Sequence, residues 1–414
     1  MSVLLRVTTL FKRMGMKAVL VAAAKCLYYI TEYPLIQIME LIPMKVRKNR
    51  ILFASNVDMS DNAGVLYEAM LEKKKNFEYD IIWLVASLEQ YKGKQPEHVT
   101  FIRERHRLSD SRCLRAYYYA RTSEKIIFTH TLNWAKKRSP KQLYLNLWHG
   151  CGYKASKMGD EPIQFDYCLV PGEIFIETKA LFFQCSRDKL LPIGYPRYDV
   201  MLEGSPVGER YILRFKQNRD TKVILWMPTY RKSIRAHLTE NTLDNRTDIP
   251  LLDSIETIQS LDNFCKKNNV VLILKRHHLE LDYVIKVKLQ NIKMIDDSDL
   301  EACHVRLYEI LQYTDALLTD YSSIAVDYLL LDKPIGFILQ DLEKYQKTRG
   351  FVFENPLDYM PGNHIYEMQQ MKEFIKEISN GEDSFGVERQ RVKQQMHTAV
   401  SSNYCEKVLQ FFHI

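Results

Sequence analysis

Apolar residues recur at helical spacing from Leu4 to about Met44, and Pro34 interrupts the series, which predicts two consecutive amphipathic helices. After the cation cluster that ends at Arg50 the pattern changes. Short apolar runs bounded by polar residues follow one another, RILFASNV (50–57), YDIIWLVAS (79–87), HVTFIRE (98–104), KIIFTHT (125–131) and LYLNLWH (143–149), with helical stretches at 62–74 and around 107–121 between them. Strand and helix in this alternation predict a parallel sheet covered by helices. The rhythm restarts at KVILWMP (222–228) and continues through a helix near 251–268, VVLILK (270–275), KMIDD (293–297), a helix at 304–313, ALLTD (316–320), a helix at 322–331 and PIGFIL (334–339). Two doubly wound, Rossmann-like α/β sheets are therefore predicted, and ligands of such sheets sit beyond the carboxyl ends of the strands. The polar segment 232–250 lacks periodicity and reads as a long loop over the expected cleft.

At 414 residues the chain exceeds one ordinary core and fits two domains with a cleft between them. The pattern divides it into basic amphipathic helices at 1–48, a first α/β domain at 49–205, a second at 206–380, and C-terminal helices at 381–414 that pack back on the first domain.

Charge sharpens the reading of the first segment. Residues 1–50 hold nine cations (Arg6, Lys12, Arg13, Lys17, Lys25, Lys45, Arg47, Lys48, Arg50) against Glu32 and Glu40, so this segment carries the whole formal net charge of +7. A basic amphipathic start on a neutral body predicts attraction to an anionic membrane surface and argues against nucleic-acid binding. The apolar stretch AVLVAAA is interrupted by Lys25 before a spanning length of about 20 residues is reached, and no small-x-small cleavage site leads into a disulfide-rich chain, so an interfacial helix is expected rather than a span or a signal peptide. Eight cysteines occur singly, without a CxxC pair, as in a protein with reduced thiols on the cytoplasmic side of the membrane.

Candidate chemistry collects at strand ends. His149 ends an apolar run and is followed by Gly150 and Gly152, which permit a sharp turn and close approach of a substrate; alone, such a histidine is either a structural hydrogen-bonding residue or a base. Lys275, Arg276, His277 and His278 follow VVLILK, a surface cluster or an anion site. Thr319 and Asp320 end ALLTD, and Ser322 and Ser323 open the next helix, where a serine caps the helix, binds a phosphate, or both. Arg231 ends LWMPTYR and offers a planar fork to phosphate or to a surface carboxylate. Asp327 lies one turn into the helix after Ser323, suited to a polyol hydroxyl or to structure. The DDSD run (296–299) reads as a helix-capping loop, and neither a metal nor a cofactor is assigned.

Several segments together resemble the CDP-glycerol glycerophosphotransferase family: LWHGCGYKASKMG (147–159), GYPRYDVML (194–202), LWMPTYR (225–231), LILKRHH (272–278), LLTDYSSIAVDYLLLDKPIGF (317–337) and DLEKYQKTRGFVFE (341–354). The resemblance implies a GT-B-like architecture and a peripheral enzyme at the cytoplasmic face of the membrane. It would move glycerol phosphate or ribitol phosphate from CDP-glycerol or CDP-ribitol to a polyprenyl-diphosphate-linked teichoic-acid or capsular acceptor, releasing CMP. It further implies His149 as general base and His277 at the diphosphate. Lys275, Arg231, Thr319, Asp320, Ser322, Ser323 and Asp327 then fall on the donor side, and Gly150, Lys154 and Arg197 on the acceptor side. The chain departs from the family pattern after the WHG motif, where Cys151-Gly152-Tyr153-Lys154 replaces the commoner Thr-Pro-Leu-Lys run. The long extra N-terminal domain of the chain-extending polymerases is not seen, so transfer of one or a few units is expected. Competing readings are a nucleotide-sugar glycosyltransferase on the same architecture and an inactive membrane scaffold of wall-polymer synthesis.

Overall fold

The computed structural model describes residues 3–137, 139–155, 163–229, 249–275, 288–400 and 402–414. Arg231, Arg276, His277 and His278, and most of the loop expected at 232–250, lie outside the described residues. By contacts the chain forms two compact units, one of residues 1–149, 161–169 and 409–414, the other of 150–160 and 170–408. The sequence pattern placed that division near residue 205. Residues 170–205 supply the second unit with Arg197 and Tyr198, which bind Asp327, a partner about 130 positions later that strand periodicity does not register.

The first unit opens with one helix, Val3–Leu41, running through Pro34 without a break. This corrects the expectation of two helices. Pro34 is exposed, so its ring meets solvent and its missing N–H removes a single intrahelical bond. Tertiary contacts hold the helix on either side of it. Glu32 accepts the Leu114 N–H at 2.7 Å and lies 2.9 Å from the His106 ring, while beyond Pro34 the buried Ile36 and a bond from Arg121 Nη2 to the Ile42 carbonyl (3.0 Å) fix the last turns. Lys25 was expected to cut the apolar stretch short of spanning length, but the helix continues through it, and Met16–Leu41, 26 residues with an 18-residue window of mean hydropathy 1.3, is long and apolar enough by length and composition to cross a membrane.

Six strands of this unit are β1 (Arg47–Ala54), β2 (Asp80–Val85), β3 (Val99–Arg103), β4 (Ser123–Phe128), β5 (Leu143–Asn146) and β6 (Tyr167–Leu169), parallel in the order β3-β2-β1-β4-β5-β6. The second unit has a two-residue β7 (Leu190–Leu191) and a sheet of β8 (Lys222–Met227), β9 (Val270–Lys275), β10 (Ile292–Ile295), β11 (Ala316–Thr319), β12 (Ile335–Ile338) and β13 (Asn363–Ile365), parallel in the order β10-β9-β8-β11-β12-β13. Strands covered on both faces read as unbroken apolar runs, which is why VVLILK is wholly buried. In both sheets the chain builds outward from the first strand and then returns to its other side, creating a switch point between β1 and β4 and between β8 and β11.

Helices Ile255–Lys267 and Met368–Asn380 cover one face of the second sheet, setting Ile258, Leu261, Phe374 and Ile375 against Trp226, Leu272 and Leu318. Each such side chain contributes roughly 1.5–3 kcal/mol by leaving water. Ser254 caps the first of these helices by accepting the Thr257 N–H at 3.1 Å. Within it, Asp262 receives the N–H groups of Gln290, Asn291 and Ile292, the last at 2.7 Å, and so anchors the start of β10. Asp262→Ala orphans these donors and is expected to destabilise the second unit by about 2–3 kcal/mol, read as a lower urea midpoint at unchanged slope.

Candidate active site

In the first unit the chain leaves β5 earlier than the apolar run indicates, at Asn146 rather than His149. Asn146 causes the departure: its side-chain oxygen takes the Trp148 N–H at 2.9 Å, and its amide donates to the His130 carbonyl at 3.2 Å. Trp148 and His130 both sit in the left-handed region, at φ 51° and 73°. Non-glycine residues there cost about 1 kcal/mol or more each, a strain that tertiary bonds must offset. Asn62, fully buried in the helix after β1, supplies such bonds by donating to the carbonyls of Leu147 (3.3 Å) and Trp148 (2.8 Å). The bent backbone delivers His149 half-exposed and stacked on His130, ring centroids 4.0 Å apart and 8° from parallel, with the Trp148 ring also 4.0 Å away. His130, Asn62 and Asn146 were not foreseen. The signal for His130 was present, since KIIFTHT places a histidine after an apolar strand as LYLNLWH does.

In the second unit, Gly150 has φ 136°, and a Cβ there would stand 3.1 Å from Ser323 Oγ and 3.2 Å from Arg197 Nη2. At Gly152 a Cβ would meet the Ser323 Cα at 2.8 Å. The two glycines therefore let a turn of backbone lie directly on Ser323. The departing residues Cys151 and Tyr153 point inward: Cys151 Sγ is 3.3 Å from the Tyr195 hydroxyl, and Tyr153 donates to the Tyr359 carbonyl at 2.9 Å. The departure thus falls on packing positions. Lys154 pairs in antiparallel fashion with Phe351, joining the WHG segment to the RGFVFE segment.

Around the switch point between β8 and β11 most acidic groups are already engaged. Asp320 is buried and receives the Thr229 N–H (3.0 Å) and hydroxyl (2.6 Å), while Thr319 donates to the Met227 carbonyl at 2.7 Å. Thr319 and Asp320 thus tie the two central strand ends together. Lys275, at the end of β9, pairs with Asp297 at 2.7 Å, and Asp296 caps the helix Asp297–Ala302 through a reciprocal box with Asp299. The helix expected at 304–313 is shorter, Leu307–Leu311. Asp327 is fully buried: its Oδ1 accepts from Tyr198 at 2.5 Å, and its Oδ2 accepts from Arg197 at 2.6 Å and from Tyr308. No polyol hydroxyl reaches a carboxylate so enclosed. Ser322 and Ser323 remain half-exposed, and the Ser323 side chain makes no capping bond, in contrast to the cap expected of one serine here. The structure therefore gathers Gly150, Arg197, Ser323 and Asp327, sets Thr319 and Asp320 behind the strand ends, and holds Lys275 on the neighbouring strand.

Two doubly wound parallel sheets with polar motifs at their strand ends define a GT-B-like fold. The chain belongs to the CDP-glycerol:poly(glycerophosphate) glycerophosphotransferase family, whose sequence profile matches residues 36–413. It is 26 % identical over 382 residues to the Staphylococcus aureus teichoic acid ribitol-phosphate polymerase TarK, covering 83 % of this chain and 67 % of that protein. To the S. aureus teichoic acid glycerol-phosphate transferase it is 26 % identical over 377 residues, covering 84 % and 88 %. It spans about half, 52 %, of the Bacillus spizizenii teichoic acid poly(ribitol-phosphate) polymerase, at 26 % identity. A variant of the wall teichoic acid polymerase TagF shares the fold with a TM-score of 0.71 at 21 % identity, over 94 % of this chain and 96 % of that one.

His397 supports the site from behind. It is buried, its Nε2 lies 2.8 Å from the Val326 carbonyl, and burial lowers its pKa below the ordinary 6.5. A histidine whose folded pKa is depressed takes up protons more readily when unfolded, so its contribution to stability is complete above pH 6.5 and is lost as pH falls below it. The denaturation midpoint of the second unit is expected to drop between pH 7.5 and 5.5, and His397→Gln to flatten that dependence.

Proposed function

We propose that this protein transfers glycerol phosphate or ribitol phosphate from CDP-glycerol or CDP-ribitol to a polyprenyl-diphosphate-linked, teichoic-acid-type acceptor, with release of CMP. The observation that carries the proposal is the composition of the strand ends at the β8/β11 switch point. There Asp320 and Asp327 are occupied by protein donors, while Ser322 and Ser323 stay half-exposed near Arg197, an environment that favours an anionic diphosphate. In the reaction the acceptor oxygen bonds to the β-phosphorus as the bond from that phosphorus to the CMP oxygen breaks. The hydroxyl proton passes to His149, whose ring orientation is held by the His130 stack and the bent backbone at Trp148. Lys275, Ser322 and Ser323, with Arg231 and His277, are assigned to the leaving phosphate, and Arg197, expected on the acceptor side, is reassigned to the donor side because it lies with Ser323 against Gly150.

We place the enzyme peripherally at the cytoplasmic face of the membrane. Met16, Leu20, Leu27, Ile30, Ile38 and Leu41 form an uncharged exposed stripe along the first helix, with Leu27 62 %, Ile30 75 % and Leu41 84 % exposed. The opposite side, through Glu32, Ile36 and Glu40, is bound to the first unit. A perpendicular span would carry the Leu114 backbone, His106 and Arg121 into hydrocarbon at several kcal/mol each, which favours a helix lying in the interface plane.

Incubation with labelled CDP-glycerol, CDP-ribitol and UDP-sugars plus a polyprenyl-linked disaccharide is expected to release CMP and form a phosphodiester; release of UDP without CMP would replace this assignment with glycosyl transfer. His149→Ala should lower turnover at least about a hundredfold while leaving donor affinity within about twofold, and Ser323→Ala should weaken donor binding. Leu27→Asp combined with Ile30→Asp, both at exposed positions, should shift the protein from sedimenting with anionic vesicles to the supernatant without changing its thermal midpoint.

A further inference from the structure

Arg197 and Asp327 are 5 % and 0 % exposed, and neither is placed by its own element alone. Asp327 comes from the short helix after Ser323, Arg197 and Tyr198 from the helix Arg197–Glu203, and Tyr308 from the helix Leu307–Leu311. A buried carboxylate keeps its charge only if donors surround it, and here two phenols and a guanidinium do so. Burial raises the Tyr198 phenol well above its ordinary range, so it stays a donor. The guanidinium lies between two aromatic faces, 4.4 Å from the Tyr308 ring centroid and 5.2 Å from that of Tyr195. Its Nη2 and Ser323 Oγ both close on Gly150, 3.2 Å and 3.1 Å from where a side chain there would begin.

We infer that Tyr308 is a positioning residue for the donor phosphates: it holds Asp327 by its hydroxyl and Arg197 by its ring, so that Arg197 presents N–H groups beside Ser323. This rests on the assignment of the diphosphate to Ser322 and Ser323. Tyr308 is half-exposed, and its hydroxyl is one of three donors to Asp327, so the carboxylate keeps Arg197 and Tyr198 when that hydroxyl is removed. Its loss should be felt in ligand binding before it is felt in folding.

The test is calorimetric titration of the full chain with CDP-glycerol and CDP-ribitol, and ligand-observed NMR with cytidine. Tyr308→Phe is expected to weaken the CDP-polyol about tenfold, to leave cytidine unaffected and to lower the thermal midpoint by no more than about 4 °C. In an Arg197→Lys background, where no planar fork remains to be oriented, the same change should add less than about twofold. Tyr308→Leu, which also removes the ring, should cost more than Tyr308→Phe and serves if the latter does not fold. Unchanged CDP-polyol affinity in both variants, an equal loss for cytidine, or full additivity with Arg197→Lys overturns the inference. Failure of the unaltered protein to bind either CDP-polyol removes the donor assignment itself, and the role of Tyr308 with it.

Discussion

A carboxylate taken wholly out of water must be surrounded by donors or surrender its charge, and the second unit is organised around one that is surrounded. Asp327 draws Arg197 and Tyr198 from one helix and Tyr308 from another onto its two oxygen atoms. Breaking such a pair leaves an uncompensated buried charge at a cost of several kcal/mol, so these helices cannot drift independently. The backbone of Gly150 and Gly152 lies on Ser323 because nothing larger would fit beside Arg197 and the serine. Packing, charge and the half-exposed serines at the strand ends are consequences of the same constraint.

The stacked histidines of the first unit, His130 and His149, show a different use of backbone energy. Left-handed conformations at His130 and Trp148 are unfavourable on their own, and they persist because Asn62 and Asn146 satisfy the turned peptide groups. What the strain secures is a pair of parallel imidazoles at the carboxyl ends of β4 and β5, beside the switch point of that sheet.

Much of the architecture could be read directly from the chain. Strands buried on both faces announce themselves as runs such as VVLILK and KIIFTHT, and helices between them fix the parallel sense. The DDSD run could be read as a cap because capping is local, a matter of three residues. The bend after Asn146 was hidden, since Leu147 and Trp148 are as apolar as the strand before them and the hydrogen bonds that end it come from Asn62 and Asn146 side chains. Asp327 was legible as a residue but not in its role, because its partners Tyr198 and Arg197 lie 129 and 130 positions away. At Pro34 the local rule was outweighed by contacts to Arg121 and Leu114, far along the chain. The departure at Cys151 and Tyr153, which drew attention as a sequence difference, turned out to be a matter of core filling.

The first helix presents its uncharged stripe outward while its acidic residues are committed to the body of the protein. Such a molecule is an amphiphile even in its fully folded state. In plain buffer its stripes would find one another, and clustering would be reversible by mild detergent rather than by denaturant, so particle size should track the detergent's critical micelle concentration.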